Sequence, residues 1–146
     1  MARTDPVPDL GLGRIVAWMG RPLTQALRSL DLSDSQYRLL AFLADGESAS
    51  TALAGRLEVT RPSITALVDG LVGRGFVERQ ADDEDRRRIR LTLTEAGIAA
   101  LAEADRVVDR QLGHVLDQLS ASERDQAIAA TRLWGDALRA LRDGRR

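Results

Sequence analysis

The chain has 146 residues, with 21 Arg and no Lys, 22 acids, one His and no Cys, for a formal net charge of −1. That length suits one compact domain with a real core; the missing thiol excludes a disulfide framework and any cysteine redox switch, and without a run of about 18 apolar residues or an amino-terminal signal pattern a soluble, cytoplasmic protein with no membrane partner is expected. One His, no Gly-rich phosphate loop and no metal-ligand cluster leave little for an enzyme to work with, so neither cofactor nor metal is expected, and the all-Arg, Ala-rich composition suits a GC-rich bacterial genome.

A first helix is predicted over about Asp9 to Leu30, where Leu12, Ile15, Val16, Met19, Leu23, Ala26, Leu27 and Leu30 recur at helical spacing. Pro22 lies inside it. A proline withholds a backbone donor and crowds the preceding turn, which predicts a bend near Trp18 to Arg21. The segment Leu32-Ser33-Asp34-Ser35-Gln36-Tyr37 then carries an S-x-x-Q capping box, with Leu32 and Tyr37 spaced as a hydrophobic staple. It opens a helix from about Asp34 to Ala44, with Tyr37, Leu40 and Ala41 or Ala44 expected inward. Asp45 to Ser48 breaks that helix, and Ser50 to Leu57 forms a short one with Leu53 and Leu57 on one side. Its expected work is to brace the next helix and to offer Ser48, Ser50 or backbone N–H groups to phosphate.

Val59 to Gly97 is the most informative stretch. Ile64, Leu67, Val68, Leu71 and Val72 form one apolar stripe of a helix that must be buried. The opposite face carries Arg61, Ser63, Thr65, Ala66, Asp69 and Gly70, short or hydrogen-bonding groups able to approach base edges. Thr60 is placed to cap the first turn, and Pro62 is tolerated there because early helical N–H groups lack partners anyway. Gly73-Arg74-Gly75 then stops the helix, Phe76 to Arg79 begins a strand, and the return strand alternates Ile89, Leu91 and Leu93 with Arg90, Thr92 and Thr94. Between the strands, Gln80 to Arg88 holds the acids Asp82 to Asp85 and then Arg86, Arg87 and Arg88. A helix followed at once by an Arg-tipped hairpin is the layout of a DNA reader, with Arg74 a further candidate for the DNA backbone. Taken alone, the mixed charges could be a solvated loop, with Asp69 and Asp85 ordering the arginines by pairing. The net charge of −1 argues mildly against DNA binding, and the local count is hardly better, with eight Arg against seven acids from Arg56 to Arg90.

Beyond the hairpin, Glu95 to about Leu119 and Ser122 to Leu141 read as two long helices separated by Ser120-Ala121-Ser122-Glu123, an S-x-x-E capping box. Their apolar positions, Leu101, Val108, Leu112, Val115 and Leu119 in one and Ile128, Trp134, Leu138 and Leu141 in the other, exceed what a small winged domain needs. A second subunit is the expected cover, with Leu12, Leu112, Val115, Leu119, Trp134, Leu138 and Leu141 in the interface. An intramolecular helical hairpin is the competing arrangement.

The hairpin motif Asp85-Arg86-Arg87, then Leu91-Thr92 and Leu93-Thr94-Glu95-Ala96-Gly97, together with the helix exit Leu71 to Arg79, resembles the MarR family of winged helix-turn-helix regulators. The similarity extends over nearly the whole chain. It implies a mainly α fold with a small β-hairpin wing, divided into an N-terminal helix (1–30) that joins a dimer interface, a winged helix-turn-helix DNA-binding domain (31–96) and C-terminal dimerisation helices (97–146). It further implies a homodimer on double-stranded, pseudo-palindromic operator DNA, with recognition helices in successive major grooves and wings in flanking minor grooves. The recognition residues then fall on Thr60, Arg61, Pro62, Ser63, Thr65 and Ala66, and the wing contacts on Arg86, Arg87 and Arg88. Members of the family commonly bind small aromatic or anionic effectors between the dimer helices and the winged domain, which here would use Trp18, Met19, Arg21, Tyr37, Arg38 and His114. Each of these has a plainer reading, Trp18 and Tyr37 as core and His114 as surface.

The expected function is a homodimeric transcriptional regulator, a repressor relieved by a small effector. The alternative is a constitutive or architectural DNA binder without one, and for an enzyme, the third class, the residue inventory leaves little chemistry to work with.

Overall fold

Six helices and one hairpin are the regular elements of the computed structural model, which describes residues 11–46, 49–82 and 88–144, the side chains of residues 142 and 143 excepted. In chain order they are α1 (Leu12–Arg28), α2 (Asp34–Ala44), α3 (Ser50–Leu57), α4 (Arg61–Gly73), β1 (Val77–Ala81), β2 (Ile89–Leu93), α5 (Glu95–Leu116) and α6 (Ala121–Asp143). The chain divides into two compact units, residues 1–108 and 109–146, with α5 running across the division. Among the described residues, no helix is long and apolar enough to cross a membrane.

In the first unit α2 is central, touching α1, α3, α4 and β2. Ser33 starts it with the expected capping box: its hydroxyl accepts from the Gln36 N–H at 3.1 Å, and the Gln36 side chain accepts from the Ser33 N–H at 3.0 Å. Replacing Ser33 by alanine should cost about 1 kcal/mol, read as a lower midpoint in urea with an unchanged slope. The inward stripe differs from the expected one. Leu39, Leu40 and Leu43 are buried, while Tyr37 and Ala41 are half-buried and Ala44 is exposed. A leucine removes far more apolar surface from water than an alanine, roughly 1.5–3 kcal/mol when fully buried, so the leucines set the rotation of the helix. Leu27 of α1, Leu53 of α3, Leu71 of α4 and Val77 of β1 complete the innermost layer.

α1 is continuous across Pro22. Pro22 has no N–H to give to the Trp18 carbonyl four residues earlier; the expected start at Asp9 lies outside the described residues. Only Ala26 and Leu27 of α1 are buried, and Leu12, Ile15, Val16, Trp18 and Met19 are exposed.

Three of these helices end by the same device. The N–H of Leu32, Val59 and Phe76 returns to the carbonyl of Leu27, Ala54 and Leu71 respectively, and in each case the residue before the donor is left-handed: Asp31 at φ 53°, Glu58 at 54° and Gly75 at 72°. This pairing uses carbonyls that a helix end would otherwise leave without partners.

β1 and β2 pair antiparallel with Val77 opposite Leu93, Arg79 opposite Leu91 and Ala81 opposite Ile89. Val77 and Leu91 are buried, but Ile89 is 59% exposed. The alternation expected to bury Ile89, Leu91 and Leu93 together therefore holds fully only at Leu91, with Leu93 half-buried and Ile89 at the last pair of the ladder, opposite Ala81, in water. A single bridge from Ala49 to Arg90 attaches the residue before α3 to the free edge of β2.

In the second unit, the Ser120 hydroxyl donates to the Glu123 carboxylate at 2.6 Å, the Ser120 N–H donates to it at 2.9 Å, and the Glu123 N–H returns to the Ser120 hydroxyl at 3.4 Å. These bonds, the hydroxyl first, hold the Glu123 carboxyl below the usual carboxylate range. The folded value lies below the unfolded one, so this contribution is present above the unfolded pKa and is lost as pH falls through the folded one. Among the described side chains of α6 none is buried, and Leu133, Trp134, Leu138 and Leu141 are exposed.

Candidate nucleic-acid interface

The surface that matters is built on α4. Ile64 and Val68, each 2% exposed, and Leu71, fully buried, pin one side of the helix to the core. Arg61, Pro62, Ser63, Thr65 and Ala66 all lie exposed on the other side. Thr60 caps the helix by accepting from the Ser63 N–H at 3.3 Å, and the Thr60 and Ser63 hydroxyls lie 2.9 Å apart. Thr65 folds its hydroxyl back onto the Arg61 carbonyl at 3.0 Å. The result is a polar, sterically open first turn at the positive end of the helix dipole.

The hairpin stands beside this helix, since β1 packs directly on α4. Asp69 of α4 accepts a charged hydrogen bond from Arg79 of β1, which ties helix to strand. Sequence reading pairs Asp69 with the tip arginines and does not single out Arg79; with one strand residue between Glu78 and Gln80 favouring no particular role, only the folded register identifies it. The Asp82 N–H donates to the Arg88 carbonyl at 2.9 Å and extends the ladder one step beyond Ala81 and Ile89, and Arg88 is exposed. Asp85, Arg86, Arg87 and Ser48 lie outside the described residues. Ser50 opens α3 and is half-buried.

Arg74, expected on the DNA backbone, is exposed at the end of α4. Its guanidinium donates to the Asp31 carbonyl at 2.6 Å and the Leu30 carbonyl at 3.2 Å, and lies 4.6 Å from the centre of the Phe76 ring.

The residues considered for an effector are spread over three helices. Trp18, at 63% exposed, is no core residue within one chain, and Met19, Arg21 and His114 are exposed as well. Tyr37 is half-buried and donates to the Asp105 carboxylate at 2.7 Å. Arg38 lies 6.0 Å from the Phe42 ring centre, and Arg56 lies 5.3 Å from the same ring. Of the residues expected between subunits, Leu12, Val115, Leu119, Trp134, Leu138 and Leu141 are exposed and Leu112 is half-buried. Ile98 and Leu133, which sequence reading does not place there, are exposed too.

The MarR family pattern matches residues 30–88, the stretch from the turn after α1 to the residue before β2. The HTH-type transcriptional repressor YetL of Bacillus subtilis (strain 168) is 33% identical over 113 residues, which are 75% of this chain and 66% of that protein, just under two thirds of its length. Wild-type MarR from E. coli, in its apo form, superposes with a TM-score of 0.72 at 24% identity, covering 88% of this chain and 97% of that one. The S. aureus MepR–DNA complex gives a TM-score of 0.59 at 25% identity, covering 86% of this chain and 95% of that one. The relative identified by sequence is a regulator rather than an enzyme. A capped, polar-faced α4 and the first strand of the wing lie inside the matched stretch, and the second strand follows it directly, so that this chain carries the pattern of the MarR family of winged helix-turn-helix regulators.

Proposed function

We propose that this protein is a homodimeric, sequence-specific DNA-binding transcriptional regulator, a repressor released from its operator by a small aromatic or anionic effector. The observation that carries this reading is the exposed polar face of α4 beside the hairpin. The opposite stripe is locked in the core, so the open face is presented rigidly, and its short side chains allow close approach to a groove. The repressor YetL and the DNA-bound MepR support it from outside. In this reading residues 31–96 bind DNA, residues 1–30 and 97–146 hold two subunits together, Thr60, Arg61, Ser63 and Thr65 read bases, and Arg86, Arg87 and Arg88 follow the minor groove. The apolar side chains of α1, α5 and α6 that one chain leaves in water are those a second copy would cover.

Selection of bound fragments from the host genome would supply the operator, and its position relative to promoters would reveal the sign of regulation. On that operator the Arg86→Ala/Arg87→Ala protein should bind at least about tenfold more weakly at physiological salt, with a log–log salt slope shallower by about one for each phosphate that the variant no longer neutralises. Equal affinity for parent and variant would sink the wing assignment. Titrating the bound complex with small aromatic acids separates the two regulatory readings: release supports an effector, and indifference favours a constitutive binder.

A further inference from the structure

We propose that Arg74 is a positioning residue for DNA recognition, a clamp that locks the end of α4 to the end of α1. The inference rests on the reading of α4 as the recognition helix and replaces the expected phosphate contact of Arg74 with a different task.

Arg74 is the C-cap of α4, and the two carbonyls it grips, Leu30 and Asp31, belong to the turn that closes α1. One helix terminus therefore holds another. The carbonyls of Leu30 and Asp31 lie past the C-cap Ser29, outside the helical ladder, and a guanidinium supplies them two donors in a fixed planar fork. The left-handed Asp31 is part of that turn, and Phe76 covers a face of the same guanidinium. Exposed though Arg74 is, two of its donors are committed to the protein and one face of its guanidinium lies against an aromatic ring.

The adjoining backbone extends the connection to α5. Thr94 donates its hydroxyl to the Gly75 carbonyl at 2.6 Å and its N–H to the Phe76 carbonyl at 3.1 Å, while its hydroxyl accepts the Gly97 N–H at 3.0 Å as α5 begins. Arg74, Gly75 and Phe76 thus join α1, α4, β1 and α5 within three residues. α1 and α5 are the elements of this unit that reach toward the proposed dimer interface, and α4 carries the base-reading face. A change in subunit spacing can reach α4 through this junction as well as through the packing of α2 between α1 and α4, and Arg74 supplies the junction's side-chain hydrogen bonds to the end of α1.

The test uses the full-length dimer. Because the chain contains no cysteine, spin labels can be placed by substitution at two exposed positions, Gln25→Cys on α1 and Ala66→Cys on α4, and diluted with unlabelled protein so that only distances within a chain are read. Arg74→Ala should broaden that distance distribution, and in the unlabelled background should weaken operator binding about tenfold, in line with losing charged hydrogen bonds in a partly solvated site. The salt slope should stay at the parent value. Arg74→Lys, which keeps the charge without the planar fork, should fall between parent and alanine variant in both measurements, and it serves as the decisive variant if Arg74→Ala does not fold. An unchanged distance distribution overturns the clamp, as does a slope shallower by about one per subunit, which would mark a phosphate contact. A lower melting temperature with unaltered operator affinity would reduce Arg74 to a stabilising residue and also overturns the proposal. If the parent protein bound no DNA, the functional reading would fall by itself, while the label distances would still decide the clamp.

Discussion

Gly97→Ala should destabilise the protein by roughly 3 kcal/mol or more, although glycine-to-alanine changes within helices ordinarily gain about 0.5–1 kcal/mol. Gly97 lies in the first turn of α5, three residues after Thr94, and is buried against the start of β1. A Cβ built there falls well inside the contact radius of the Phe76 carbonyl oxygen, and the Phe76 carbonyl carbon and Cα are close behind it. That carbonyl cannot retreat freely, since it accepts the Thr94 N–H at 3.1 Å. The methyl group must therefore push α5 away from the α4–β1 turn or break the bond that closes the hairpin. Gly55→Ala in α3 is the matched control: nothing lies within 4 Å of its Cβ position, so it should gain a few tenths of a kcal/mol. Urea unfolding of both variants checks the pair, and an equal, small effect at the two sites would mean that the crowding at Gly97 relaxes without cost.

Leu138→Asp should abolish the proposed dimer at micromolar concentration and with it at least about a hundredfold of operator affinity. Trp134, Leu138 and Leu141 fall on one face of α6 by their spacing and are 50%, 62% and 61% exposed. Each large apolar side chain covered by a partner would contribute roughly 1.5–3 kcal/mol, and a two-fold interface counts every substitution twice. An aspartate at the centre removes that gain and adds a charge that has to be desolvated without a partner. A lone subunit engages one half-site and loses the effective concentration that links the two, which is worth on the order of a hundredfold or more. Light scattering gives the mass and fluorescence anisotropy the affinity. If Leu138→Asp and Leu112→Asp both kept the dimer mass, the interface would have to lie elsewhere.

Local rules make much of this chain legible. The helix of Asp34–Ala44, the short helix from Ser50, the Thr60 cap, the stop at Gly75 and the boxes at Ser33 and Ser120 all depend on groups within a turn or two of each other. Where partners are distant in sequence, residue types alone do not reveal them. Arg79 meets Asp69 only because β1 lies on α4, and Arg74 reaches carbonyls 43 and 44 residues away. Ile89 fits the two-residue period of a buried strand face yet stands in water, since periodicity specifies a side of the strand and says nothing about how far along it other elements pack.

The order of elements, the polar face of α4 and its apolar stripe, and the family they signify were already written in residue types and spacing, because backbone capping and amphipathic periods are short-range chemistry. Which leucines of α2 face inward, why Gly97 tolerates no side chain and which way Arg74 points were decided only on folding. Those outcomes depend on how close separately specified elements come to one another, and that distance is a property of packing that no single segment contains.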